Sequence, residues 1–139
     1  MSSLPVPSES EEARMFVAWL RVKGYKFHHS PNETGHSDEA RRRAIRVKRE
    51  GTSAGWPDYI IIKNNRLIAV ELKRAKKGLS HVSPEQREWL KELASCGVEA
   101  AICYGHIEAE EFVESVANYG VHSPSPPRNE VTTPDDLPF

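Results

Sequence analysis

Asp58, Glu71 and Lys73 stand out as a set of side chains suited to act as acid, base or metal ligand. They lie on two runs rich in β-branched and aliphatic residues, Asp58-Tyr-Ile-Ile-Ile-Lys63 and Arg66-Leu-Ile-Ala-Val-Glu-Leu-Lys73, separated by Asn64-Asn65. Asn tolerates the left-handed conformations of a tight turn, so the pattern predicts a β-hairpin. With the turn centred there, Lys63 faces Arg66, Ile61 faces Ile68, Tyr59 faces Val70, and Asp58 falls opposite Glu71. Directly opposed Cβ atoms are about 4.5–5.5 Å apart, where two like charges destabilise the pair. A bound divalent cation would offset the repulsion. Side chains alternate along a strand, so Lys73 projects from the same face as Glu71. Oxygen ligands with room for water suit Mg²⁺ or Mn²⁺. The ammonium could orient an attacking water or stabilise charge growing on a phosphate. The competing reading is a surface hairpin with scattered charges. Against it, Ile60, Ile62, Leu67 and Ala69 share the acids' face, which is expected to put the acids at the edge of a buried layer.

The elements that must hold this hairpin are legible on both sides of it. Residues 9–23 read as an amphipathic helix with Ala13, Phe16, Val17 and Leu20 as its stripe, Ser8 as N-cap and Gly24 at its end. Glu9 and Glu12 each lie on that stripe, as favourable partners of the helix dipole or as metal ligands. Tyr25–His29 is a short strand running into a turn-rich loop, in which Asn32 and Glu33 could line a cleft. Ser37–Glu50 is a helix carrying Arg41, Arg42, Arg43, Arg46, Lys48 and Arg49. Such a run is either a solvated face or a set of phosphate contacts, which give affinity and position without reading sequence. Gly51-Thr-Ser-Ala-Gly55 approaches the hairpin, its glycines allowing close contact with a ligand. Arg74, Lys76 and Lys77 continue the basic character beyond it. Ser83 and Pro84 open the next helix, with Glu85 and Gln86 in its first turn and Trp89, Leu90 and Leu93 on its core face. Residues 98–104 form a buried strand and residues 107–116 a final helix. The order helix, strand, helix, hairpin, helix, strand, helix indicates an α/β fold, a mixed sheet flanked by helices.

Pro57-Asp58 with Glu71-Leu72-Lys73 resembles the motif of the PD-(D/E)xK nucleases. The fuller set, Gly55-Trp56-Pro57-Asp58, Glu71-Leu72-Lys73 and Ser83-Pro84-Glu85-Gln86, is similar to the VRR-NUC branch, over roughly residues 9–116. The resemblance implies a restriction-endonuclease-like core and hydrolysis of DNA with Mg²⁺ or Mn²⁺ held by Asp58, Glu71 and the Leu72 carbonyl. It implies a further ligand from the first helix, Glu9 or Glu12, the register being open. Lys73 would align or activate water. Gln86, otherwise only a helix-start residue, would contact the phosphate or that water. The Gln that such members carry one turn after the helical Glu falls at Ala13 here and is missing. Stand-alone relatives also imply a homodimer that cuts branched DNA such as Holliday junctions.

The chain has 139 residues and a net charge of −1. That figure hides a basic middle, with 17 Lys and Arg against 8 Asp and Glu over residues 21–91. Acidic ends flank it, so a polyanion partner is expected for the middle alone. Cys96 and Cys103 have no zinc spacing and read as reduced core thiols of a cytoplasmic protein, which the resemblance implies to be bacterial or phage-encoded. No apolar run approaches the roughly 20 residues that span a membrane. The start lacks the features of a signal peptide. Residues 1–118 are expected to form the nuclease domain and residues 119–139 a disordered Pro-rich acidic tail. The tail ends in Asp135-Asp136-Leu137-Pro138-Phe139, which resembles the tip of bacterial single-stranded-DNA-binding proteins. It would dock on proteins that recognise such tips, or cover the basic surface. Two further readings compete with the structure-selective nuclease. A restriction-type endonuclease would need an extra base-reading element, for which the chain has no spare domain. A non-catalytic DNA-binding or recruitment module has the intact Asp58, Glu71 and Lys73 against it.

Overall fold

The computed structural model describes residues 4–30 and 37–118. Asn32, Glu33 and the C-terminal tail, with Asp135 to Phe139, lie outside the described residues. The elements are α1 (Glu9–Lys23), β1 (Lys26–His29), α2 (Asp38–Arg49), β2 (Tyr59–Lys63), β3 (Arg66–Lys73), α3 (Pro84–Ser95), β4 (Glu99–Tyr104) and α4 (His106–Asn118). Their order is the expected one. The fold is α/β, and the four strands make one mixed sheet in the order β1-β2-β3-β4. The first three strands are antiparallel and β4 joins β3 in parallel. A parallel neighbour requires a crossover, and α3 supplies it.

The hairpin forms as its sequence requires. Asn64 and Asn65 both take positive φ, 50° and 61°, the pair of left-handed residues that a two-residue turn matching strand twist needs. Lys63 pairs with Arg66 and Tyr59 with Val70. The Asn64 side-chain amide donates to the Ala117 carbonyl at 2.7 Å, tying the turn to the end of α4. At the other end, buried Pro57 has no amide proton to give to a ladder, so regular pairing starts after it.

Burial corrects one expectation. The fully covered face of the hairpin carries Tyr59, Ile61, Ile68, Val70 and Leu72, packed with Phe16 and Leu20 of α1 and Ala109 and Val113 of α4. The acids' face is only partly roofed: Ala69 is buried, but Ile62 is 50% exposed and Leu67 39%. The cause is that α1 and α4 cover one side of the sheet together, whereas α3 packs mainly over β3 and β4. The site thus opens on the thinner side, next to α3. Cys103 is buried as expected, but Cys96 caps α3 and is exposed.

α1 starts with a capping box, Ser8 and Glu11 bonding each other's backbone amides, and ends at left-handed Gly24. α2 is capped by Ser37 and contains no buried residue. A 12-residue helix is marginal in water without a packed face. Among the described residues no helix is long and apolar enough to cross a membrane.

Candidate active site

Asp58 stands just before β2, and its Oδ2 accepts the Leu72 backbone N–H at 2.9 Å. That bond pins the carboxylate across the gap to β3, where Glu71 projects. The charge of Asp58 is felt at the Glu71 carboxyl, which marks the two as neighbours. Glu71 is 1% exposed. Its two oxygens have different surroundings. Oε1 accepts from the Gln86 side-chain amide at 2.8 Å and faces the Lys73 ammonium at 3.5 Å. Oε2 is buried and has no hydrogen-bond partner. An orphaned buried carboxylate oxygen costs on the order of 1–3 kcal/mol or more, so such atoms call for an explanation.

Electrostatics tell the same story. Burial, then the charge of Asp58, pushes the Glu71 carboxyl up to about 8, with Lys73 only partly opposing. Burial also raises Asp58, against the Leu72 N–H that favours its charged form. Two like charges held together disfavour each other's ionised form, so acids that resist ionising side by side make a site poised for a cation. The donor set fits one kind of ion. Among the described residues no group of three or more His, Cys, Asp or Glu side chains gathers. Two carboxylates with an unused oxygen suit a hard ion such as Mg²⁺, which retains several waters and needs only one or two protein carboxylates.

Gln86 is set by its own helix. Its Oε1 accepts the Ser83 N–H at 2.9 Å within a capping box, so its Nε2 must turn outward, to Glu71. The geometry therefore ties Gln86 to a carboxylate, where the resemblance had it contacting phosphate or water. Gly55 differs from expectation too. It lies against α3, at φ +88°, and a Cβ built there would stand 2.5 Å from the Glu85 carbonyl carbon and 2.7 Å from the Gln86 nitrogen. The glycine admits the first turn of α3, not a ligand. Trp89 reinforces the contact by donating to the Ala54 carbonyl at 3.1 Å and by meeting Trp56 edge-on.

The first-helix acids separate. Glu9 is exposed, whereas Glu12 is buried beside Phe16 and Leu20 on the inner face of α1. The Glu12 carboxylate accepts the His106 N–H at the start of α4, a favourable charge for that helix end. It thus borders the ends of β3 and β4, since the adjoining Gly105 N–H bonds the Lys73 carbonyl at 2.8 Å. It does not join Asp58 and Glu71 in a cluster of three.

The basic residues also divide. Arg74 is not displayed to a ligand: its guanidinium donates to the Pro7 and Val6 carbonyls at 2.9 Å each, strapping the lead-in of α1 to the end of β3. Arg41 and Arg43 stand within 3.8 Å of Asp38 and Glu39 on their own helix. Arg42, Arg46 and Arg49 are exposed and follow one another at i, i+4, i+7 along one side of α2. Lys48 and Lys76 are exposed as well. Lys77 lies over the ring of Tyr104, a residue that sequence reading passed over because nothing in its local pattern marks it out. His29 stacks on Tyr59 close to Asp58, and His28 is exposed.

A mixed sheet ending in paired acids and a facing lysine defines a class, the nuclease-type domains that process DNA. A family model described as the VRR-NUC domain matches residues 8–107, and the chain belongs to that family. A solved structure described as a VRR_NUC domain protein is similar to it, with 27% identity and a TM-score of 0.63, over 81% of this chain and 89% of that one. No curated protein matches it.

Proposed function

We propose that the protein is a divalent-metal-dependent DNA endonuclease, with Asp58, Glu71 and the Leu72 carbonyl as the protein's ligands for Mg²⁺ or Mn²⁺. The observation that supports it most is the Glu71 carboxylate, with one oxygen committed to Lys73 and Gln86 and the other buried and unpartnered beside Asp58. When bound, such an ion supplies charge neutralisation and a more acidic water. Lys73 holds its ammonium toward the phosphate and orients the attacking water. Gln86 fixes the plane of the Glu71 carboxylate. Glu12 completes the site through water or holds a second ion, and Glu9 plays no part. Arg42, Arg46, Lys48, Arg49, Lys76 and Lys77 grip the backbone of the nucleic acid. Branched DNA, bound by a homodimer, is the substrate in this reading, since paired sites on a two-fold axis match a two-fold junction.

The test is cleavage of a supercoiled plasmid and a four-way junction with Mg²⁺, Mn²⁺ or EDTA, alongside Asp58→Asn and Lys73→Ala. Metal-dependent cutting that both variants lose is expected. Cutting that survives in both would remove the assignment, and binding without cutting by the wild type would favour a non-catalytic module.

A further inference from the structure

Tyr104 closes β4 on the face that carries the site, and the chemistry above leaves it unused. The parallel register sets it beside Lys73, and neighbours in such a register project to the same face of a sheet. Its ring is half-buried, unlike the 1% exposed ring of Tyr59, which is locked edge-on against Phe16 in the core. The Lys77 ammonium stands 5.0 Å from the centroid of the Tyr104 ring, a cation–π distance. Lys77 is exposed and belongs to the irregular segment after β3, so its side chain can leave the ring at small cost. An aromatic surface covered by a movable cation therefore lies one strand away from Lys73.

We infer that Tyr104 and Lys77 form a subsite for an unpaired nucleoside next to the cleaved phosphate, an inference that rests on the nuclease reading. The base stacks on the Tyr104 ring as the Lys77 ammonium moves from that ring to the adjoining phosphate. Every base has a π-face, so the subsite is indifferent to sequence. A base inside a duplex has both faces covered by its neighbours and cannot use it. A nucleotide in a flap, gap or junction can. Selectivity for DNA structure would then come from the end of β4.

The experiment places 2-aminopurine, in turn, at each unpaired nucleoside flanking the mapped cut in a branched DNA. Fluorescence and affinity are read in EDTA, and kcat and KM with Mn²⁺. Wild type and Tyr104→Phe should quench one position on binding, and Tyr104→Leu should not. Stacking is worth about 1–3 kcal/mol per base, so Tyr104→Leu should lose about 5- to 150-fold in affinity. That loss should appear in KM and vanish when the same position is abasic. Lys77→Gln should keep the quench and weaken binding, which preserves a readout if the Leu variant does not fold. An equal loss on abasic DNA, or no quench at either flank in a wild type that cuts, overturns the subsite and leaves the nuclease standing. A wild type that neither binds nor cuts any DNA removes both.

Discussion

At the residue scale, the two oxygens of Glu71 make pH the sharpest probe. With its carboxyl raised to about 8 by burial and by Asp58, the metal-free protein carries a proton there at neutral pH. A cation must displace that proton, so Mn²⁺ affinity should climb with pH and level off above about 8. Titrations by electron paramagnetic resonance at several pH values check this, and Glu71→Gln should abolish both the slope and tight binding. The same shift acts on stability with a definite sign. The folded form binds the proton more tightly than the unfolded chain, whose Glu titrates near 4.5. Metal-free protein should therefore lose stability as pH rises from about 4.5 to about 8, and Asp58 adds to the loss. Saturating Mn²⁺ should reverse the trend in melting experiments. Lys73→Ala should separate from these effects, with cleavage reduced by about 10²–10⁴-fold, the range of a lost acid–base or charge-stabilising group, while Mn²⁺ still binds.

At the element scale, α2 and α3 do different work. α2 buries nothing, and its Arg42, Arg46 and Arg49 run along one side for about 10 Å at 1.5 Å per residue. Each Gln substitution there should weaken DNA binding evenly across sequences and lower the salt slope by about 0.7–0.9. Arg74→Gln should leave the slope nearly unchanged and instead lower the melting temperature, because its donors hold Val6 and Pro7. Fluorescence anisotropy from 50 to 200 mM salt distinguishes the two groups. α3 presents Gln86 only because Gly55 lets its first turn come close. Gly55→Ala must displace backbone, so it should cost about 1–3 kcal/mol, the usual range for overpacking, and cut cleavage as well. Thermal melts with activity assays on the soluble variant check both.

At the scale of the whole molecule, α1 and α4 share one side of the sheet and leave the other thin, which is why buried Glu71 and half-buried Asp58 can still be reached. The core is what holds those acids together against their repulsion. Phe16→Ala, emptying a fully buried position between α1 and Tyr59, should destabilise by about 3–5 kcal/mol in urea unfolding. It should weaken Mn²⁺ binding far less than Asp58→Asn at temperatures where the variant stays folded.

Much of this was determined by the sequence alone, because the signals are local. Asn64-Asn65 set the hairpin register from Lys63 and Arg66 to Tyr59 and Val70, which leaves Asp58 one residue beyond the ladder, held by the Leu72 N–H. Ser8, Ser37 and Ser83 marked three helix starts, since a cap is decided within four residues. What depends on contacts distant along the chain waited for the tertiary structure. It turned Glu12 inward and Glu9 out, gave the donors of Arg74 to the lead-in of α1, and brought Gln86 onto Glu71 across 15 positions. It also decided which face of the sheet is roofed. Alternation within a strand tells two faces apart but cannot say which one the helices will cover, because that choice belongs to the packing of elements the strand never adjoins in sequence.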